Sequence, residues 1–305
     1  MAVPVPKNIG ACPLSLKAMR RVANLRAIKH KGRAERLRSR VITAMASAST
    51  IAFTAIEGLP EIEPGTDLAA TIGDRLEELR LLPAAHDVLV VAQKVVSKAE
   101  GRTVDLASVA PSQEALRLAR LTGKDPRLIE VILSESAEIV RAAPRVLIVR
   151  HRLGFVMANA GVDRSNVSAH WSGEPGQERV LLLPRDPDSS AAELQRVLMR
   201  RFDAPLAVIV SDSFGRPWRR GVTNIALGVA GLPALIDRRG ERDRGGRPLE
   251  ITEVAFADAI AAGAALAMGE GAEGNPVVLA RGLVWTAPEN DGRALLRSTE
   301  EDLFR

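Results

Sequence analysis

Sulfur, aromatic rings and long apolar runs are all scarce in this chain, and each shortage removes a class of protein. Cys12 is the only cysteine among 305 residues, so neither an intramolecular disulfide nor a thiolate zinc cluster can be assembled. Aromatic residues make up 3% of the sequence, and His30, His86, His151 and His170 are scattered without metal-ligand spacing. No apolar run reaches the roughly 18 residues that a membrane-crossing helix requires. A Walker-type phosphate loop, the HExxH zinc pair and the GxSxG nucleophile elbow are also missing. What remains is the expectation of a soluble, cytoplasmic protein with no membrane partner.

What is present is ordinary for a globular chain: 46% hydrophobic and 26% charged residues, over a length that fits one large domain or two modest ones. The formal net charge of +5 is unevenly spread, because residues 1–50 hold 11 of the 42 Lys and Arg with Glu35 as their one acid. The rest of the chain is net acidic. Three readings compete for this leader: an arm for nucleic acid or an anionic surface, an Arg-rich targeting peptide, or sequence ahead of a true start near Met45. It lacks interleaved aromatics and any recognition motif, so a folded nucleic-acid module is not expected. Residues 1–50 are therefore set apart as a basic extension, disordered or not native, and 51–305 as the folded domain.

From residue 51 onward, short Val/Ile/Leu-rich runs bounded by Gly, Pro or Asp alternate with helical periods. Strands are expected at 52–56, 87–93, 145–150, 154–161, 179–184, 206–212, 233–237 and 276–282. Helices are expected at about 67–82, 113–121, 126–136, 191–201 and 253–268. Asp125 followed by Pro126 reads as an N-cap with proline at the first helical position, and Ser190 with Glu193 as a capping box. The stretches 171–178 and 238–248 read as loops. The sum is a mixed α/β or α+β body with two lobes.

Four constellations carry residue types suited to chemistry. Lys94 and Lys98, after an apolar strand, are spaced so that both can hold phosphate oxygens, and equally so that they are a solvated pair at a strand end. Asn159, Gly161, Asp163, Ser165 and Asn166 gather hard oxygen donors of the kind Mg and Mn prefer, or else form an Asx-type turn. Ser211, Asp212 and Ser213 end a buried strand and are followed by Arg216, Trp218, Arg219 and Arg220. That places an acid for a metal beside arginines for phosphate or carboxylate. Residues 268–276, MGEGAEGNP, contain GxGxxG, but between a helix and a strand, the reverse of a dinucleotide fingerprint. A glycine-rich turn that brings backbone N–H groups to a phosphate, with Glu270 and Glu273 beside it, competes there with a plain connection.

Taken together and in order, GLPEI (58–62), QKVVSKAEGR (93–102), NAGVDRSNV (159–167), SDSFGRPWRRG (211–221), DRRGERDRGGRPLEIT (237–252) and MGEGAEGNPVVLARG (268–282) resemble the CofE family. These are the coenzyme F420-0:L-glutamate ligases, or gamma-glutamyl ligases, and the likeness spans nearly all of 51–290. The resemblance implies a two-lobed mixed α+β fold, a homodimer, and GTP-dependent addition of one or more L-glutamates to the deazaflavin precursor F420-0, with Mg or Mn and a monovalent K assisting. By motif, Asp163 and Asp212 would be catalytic, and Asp163, Asp212, Ser213 and Glu270 would hold metal. GTP would lie against Leu59, Pro60, Glu61, Ile62, Gln93, Lys94, Lys98, Asn166, Met268, Gly269, Gly271, Ala272, Glu273, Gly274 and Asn275. Arg216, Arg219 and Arg220 are assigned to substrate anions. The basic leader departs from the family pattern, Glu270 stands where Gln is also accepted, and the flavin-dependent second domain of some actinobacterial relatives has no counterpart here. A non-catalytic nucleotide or deazaflavin binder and an amide ligase with another acceptor are the alternatives.

Overall fold

The computed structural model describes residues 50–164 and 178–302. The basic leader, Ser165, Asn166 and most of the 171–178 loop therefore lie outside the described residues. In chain order the elements run β1 (Ala52–Ala55), α1 (Leu68–Glu78), β2 (Val88–Ala92), α2 (Gln93–Ala99), β3 (Thr103–Asp105), α3 (Gln113–Thr122), α4 (Pro126–Glu135), β4 (Ser136–Ala143), β5 (Val146–His151) and β6 (Val156–Ala158). They continue with β7 (Arg179–Leu181), α5 (Pro187–Phe202), β8 (Ala207–Arg216), β9 (Arg219–Ala230), β10 (Leu235–Asp237), β11 (Glu253–Ala255), α6 (Phe256–Met268) and β12 (Val277–Arg281).

The central sheet has the order β1-β12-β2-β8-β9, and within it only β2 and β8 pair in parallel. Its middle strands β12 to Ala280, β2, and β8 to Val210 are apolar because both faces are covered there. Leu89 and Val91 of β2, with Val208 and Val210 of β8, point toward α1 and α5 and pack on Ile72, Leu76 and Leu198. Their neighbours Val88, Val90 and Ile209 point the other way, onto Ala257, Ile260, Ala261 and Ala264 of α6. Period-two alternation thus feeds two cores from one sheet. A separate core lies under the antiparallel sheet β4-β5-β6, where Leu118 of α3 and Ile129 and Ile132 of α4 meet Leu147 and Val149. Helices and mixed sheets with segregated cores make the fold α+β, as the sequence implied.

Several boundaries differ from the sequence reading. The expected capping box at Ser190 is not the start of α5: Asp186 caps that helix by accepting from the Ser189 N–H, with Pro187 in the first turn. An Asp-Pro pair preorganises the first turn, so it wins over the Ser/Glu pattern three residues later. Ser190 instead donates to Glu100, and Glu193 pairs with Arg196. The helix expected from 253 begins at Phe256, because Glu253–Ala255 pair with β10. The strand expected to end at Asp212 continues to Arg216 and turns into β9, a 12-residue strand absent from the expected set. One close approach fixes the sheet against α5: a Cβ on Gly228 of β9 would lie 2.0 Å from the Pro187 carbonyl oxygen.

Candidate active site

The parallel pairing ends where β2 ends, with Ala92 in register with Ser211, and β8 continues beyond it. Ligands of open α/β sheets gather at such carboxyl ends, and here a cavity of about 580 Å³ opens there. β2 passes directly into α2, which brings Gln93, Lys94 and Lys98 to the wall. β8 supplies Ser211, Asp212 and Ser213, and the turn after α6 supplies Met268 through Asn275. The segment Leu59–Ile62 closes another side. Every expected nucleotide contact among the described residues therefore borders one cavity, as do Ser213 and Glu270.

Asp163 is not part of the cavity lining and meets the site through Lys94. After β6 the chain places Asn159, Ala160 and Gly161 consecutively at φ of 52°, 53° and 68°. Non-glycine residues there are strained, and such strain persists where the surroundings over-determine it. Gly161 has no freedom to become larger, since a Cβ would meet Leu183 and Met157 side chains at 2.7 and 2.8 Å. The turn delivers Asp163, whose backbone exchanges two hydrogen bonds with Leu181 at 2.8 and 2.9 Å. Its carboxylate forms a 2.6 Å ion pair with Lys94. Lys98, nearly buried, pairs with Glu61 at 2.5 Å, tying the Leu59–Ile62 segment to α2.

Asp212 is the electrostatic centre. Its surroundings are dense although part of its surface opens to the cavity, and removal from water raises its carboxyl to about 7. The Ser213 N–H and the Lys94 ammonium pull the other way, the Asp163 charge pushes it higher, and a hydrogen bond from the Gln93 side chain lowers it. A register shift between Val210 and Ser211 marks a bulge opposite this point, which re-aims the side chains that follow.

One participant, Asn224, is not evident in the sequence. Asn224 of β9 lies in register with Ser213 and lines the cavity; its amide donates to the Met268 sulfur at 3.6 Å, and its Oδ1 is buried without a partner. The Ser211 hydroxyl is also buried and unpartnered. Only a polar residue inside the apolar run of β9 hints at Asn224 beforehand. Glu270 is exposed, and Glu273 accepts from the Gly271 N–H at 2.8 Å, closing the glycine-rich turn on itself. Arg216, Arg219 and Arg220 are not part of the cavity lining: they sit exposed at the far end of the β8–β9 hairpin, around Trp218, which is 87% exposed. Among the described residues no three His, Cys, Asp or Glu side chains converge tightly enough to hold a metal alone.

Comparison with known proteins places the chain in a family. Residues 58–282 match the family model described as F420-0:Gamma-glutamyl ligase. The chain is 45% identical over 257 residues to the coenzyme F420:L-glutamate ligase of Methanothermobacter thermautotrophicus, covering 84% of this chain and 99% of that one. It is 46% identical over 259 residues to that of Methanopyrus kandleri, covering 82% and 97%, and 45% identical over 254 residues to that of Natronomonas pharaonis, covering 81% and 92%. The matched residues include every wall of the cavity, and the chain belongs to the F420-0:gamma-glutamyl ligase family.

Proposed function

We propose that this protein joins L-glutamate to the carboxyl group of coenzyme F420-0, using GTP to activate that carboxylate. The observation that carries the reading is the convergence of Lys94, Lys98, Asp212 and a glycine-rich turn on one cavity, with Asp163 paired to Lys94, in a chain of this family.

A carboxylate resists attack by an amine because its leaving group would be oxide. Phosphorylation solves this: a carboxylate oxygen of F420-0 attacks the γ-phosphorus of GTP and GDP departs, giving an acyl phosphate. The glutamate amine then attacks the acyl carbon, loses its proton, and phosphate leaves with the electron pair of the broken C–O bond. The protein's task is to hold anions together and in line. Lys94 and Lys98 supply positive charge to phosphate oxygens, and the backbone of 268–275 supplies N–H groups at close approach. Leu59–Ile62 encloses the base end. A further glutamate would add through the γ-carboxyl of the previous one.

A divalent ion fits the residues present. Asp163 and Asp212 are close enough for like charge to matter, Asp212 is costly to ionise without more cation than Lys94 provides, and all the donors are hard oxygens. Two carboxylates with the Ser213 hydroxyl leave positions for water and phosphate, the usual habit of Mg and Mn. Glu270, exposed in the cavity lining, completes the proposed set, and a bound K ion remains part of the proposal. When bound, these ions neutralise the phosphate charge that otherwise opposes carboxylate attack. Arg216, Arg219 and Arg220 are proposed to meet the anionic substrate as it enters, and a homodimer is proposed from the family resemblance.

The test follows the oxygen. F420-0 labelled with ¹⁸O in its carboxylate should transfer one label to inorganic phosphate for each amide formed. Release of that label to water, with none in the phosphate, would rule out the acyl phosphate.

A further inference from the structure

The cavity wall holds two polar atoms that no other group among the described residues satisfies. Asn224 is 6% exposed, and its Oδ1 is buried without a hydrogen-bond partner. The Ser211 hydroxyl, on a residue 1% exposed, is the other. Both residues line the cavity. Ser211 pairs with Ala226 and Ser213 with Asn224 across the β8–β9 ladder, so Ser211, Ser213 and Asn224 share one face of it. Diagonal neighbours on such a face stand about 7–8 Å apart at Cβ. The side chains of a serine and an asparagine span part of that distance and leave room for one atom hydrogen-bonded to both. Native proteins leave few buried polar atoms unpaired, because each carries a desolvation cost. Two on one face of one cavity mark a place for a ligand.

The chemistry of the pair selects that ligand. Phosphate needs donors, whereas Asn224 Oδ1 only accepts and the amide N–H₂ is turned to the Met268 sulfur. Two neutral oxygens are also a poorer divalent site than the nearby carboxylates. They match a group that offers two N–H bonds. We propose that Asn224 Oδ1 and Ser211 Oγ hold the amino group of the incoming L-glutamate. This rests on the ligase reading and names the amine subsite within it. Ser211 and Ser213 flank Asp212, which puts the subsite at the end of the cavity assigned to the ion and the γ-phosphate, where the acyl phosphate forms. The neutrality of both acceptors matters. A carboxylate in either place would favour the ammonium form, which has no lone pair to give. An amide and a hydroxyl take two N–H bonds and, once the third proton has passed to solvent, leave the lone pair for the acyl carbon. Each further glutamate also arrives as an amine, so one subsite serves every round.

The experiment compares full-length wild type with Ser211→Ala and Asn224→Leu, by steady-state formation of glutamyl product and by urea unfolding without ligands. Each variant should raise the KM for L-glutamate about tenfold, the worth of one hydrogen bond, and leave the KM for GTP and for F420-0 unchanged. Neither should lower the urea midpoint, because each removes a buried group that is unpaired in the empty protein. Ser211→Ala removes a single oxygen and carries the test alone if leucine does not fit at 224. An unchanged KM for L-glutamate in a folded variant overturns the proposal. A rise confined to the KM for GTP also overturns it and gives the pair to a donor of the nucleotide, and a lowered urea midpoint for Ser211→Ala overturns it in favour of a structural role. A wild type that forms no glutamyl product indicts the ligase reading itself, and the amine subsite falls with it.

Discussion

At the scale of single residues, Asp212 concentrates the cost and the use of the site. Its carboxyl, raised from 3.8 to about 7, keeps a proton that the unfolded chain releases near pH 4. The folded metal-free protein therefore binds more protons than the unfolded one between about pH 4 and 7, and its stability falls with rising pH across that window, by a few kcal/mol at most. Above about pH 7 this group adds no further slope. Urea unfolding in chelator at pH 5 and pH 8 should show the loss, and Asp212→Asn should flatten it. The same substitution should lower turnover by about a hundredfold or more with the fold intact, and a fully active Asp212→Asn enzyme would remove Asp212 from the mechanism. Of these details, the sequence displays the acid but not its environment. Burial and the Lys94–Asp163 pair depend on which segments are brought together in the fold, and that is not a local property of the chain.

At the scale of elements, the β8–β9 hairpin and the α5 start are where local pattern and structure part. β9 is hidden in sequence because its first four residues, Arg219–Val222, are exposed at a hairpin end and Gly221 and Gly228 interrupt the apolar run. Gly228 is required by contact rather than by turn geometry, so local pattern gives no sign of it. Gly228→Ala sets a methyl against a backbone carbonyl that has no rotamer to move away, and it should cost at least about 2 kcal/mol in unfolding by urea. A variant as stable as the parent would show that α5 can shift freely on β9. The central strands β2 and β12, by contrast, are legible because strands covered on both faces are apolar at every position. The hairpin carries its own prediction: replacing Arg216, Arg219 and Arg220 with Ala should raise the KM for F420-0 roughly tenfold with little change in kcat, the pattern of lost uniform binding. An unaltered KM would take those arginines out of substrate capture.

At the scale of the whole molecule, the account joins a sheet with two covered faces, a second α+β core, and a cavity where β2, β8, the 59–62 segment and the 268–275 turn meet. Family membership was legible in sequence because ordered motifs mark the walls of that cavity, while Asn224 was not, since it is brought there by cross-strand register with Ser213. No helix among the described residues is long and apolar enough to cross a membrane. The central claim is that this cavity couples GTP cleavage to glutamylation. It is tested most directly by mass spectrometry of F420-0 incubated with the protein, L-glutamate, GTP and Mg or Mn, with each component omitted in turn. The account predicts product heavier by one or more glutamyl units only when all are present, with GDP formed in step. A verified substrate that gains no mass in the complete mixture, or gains it without GTP, would contradict the account.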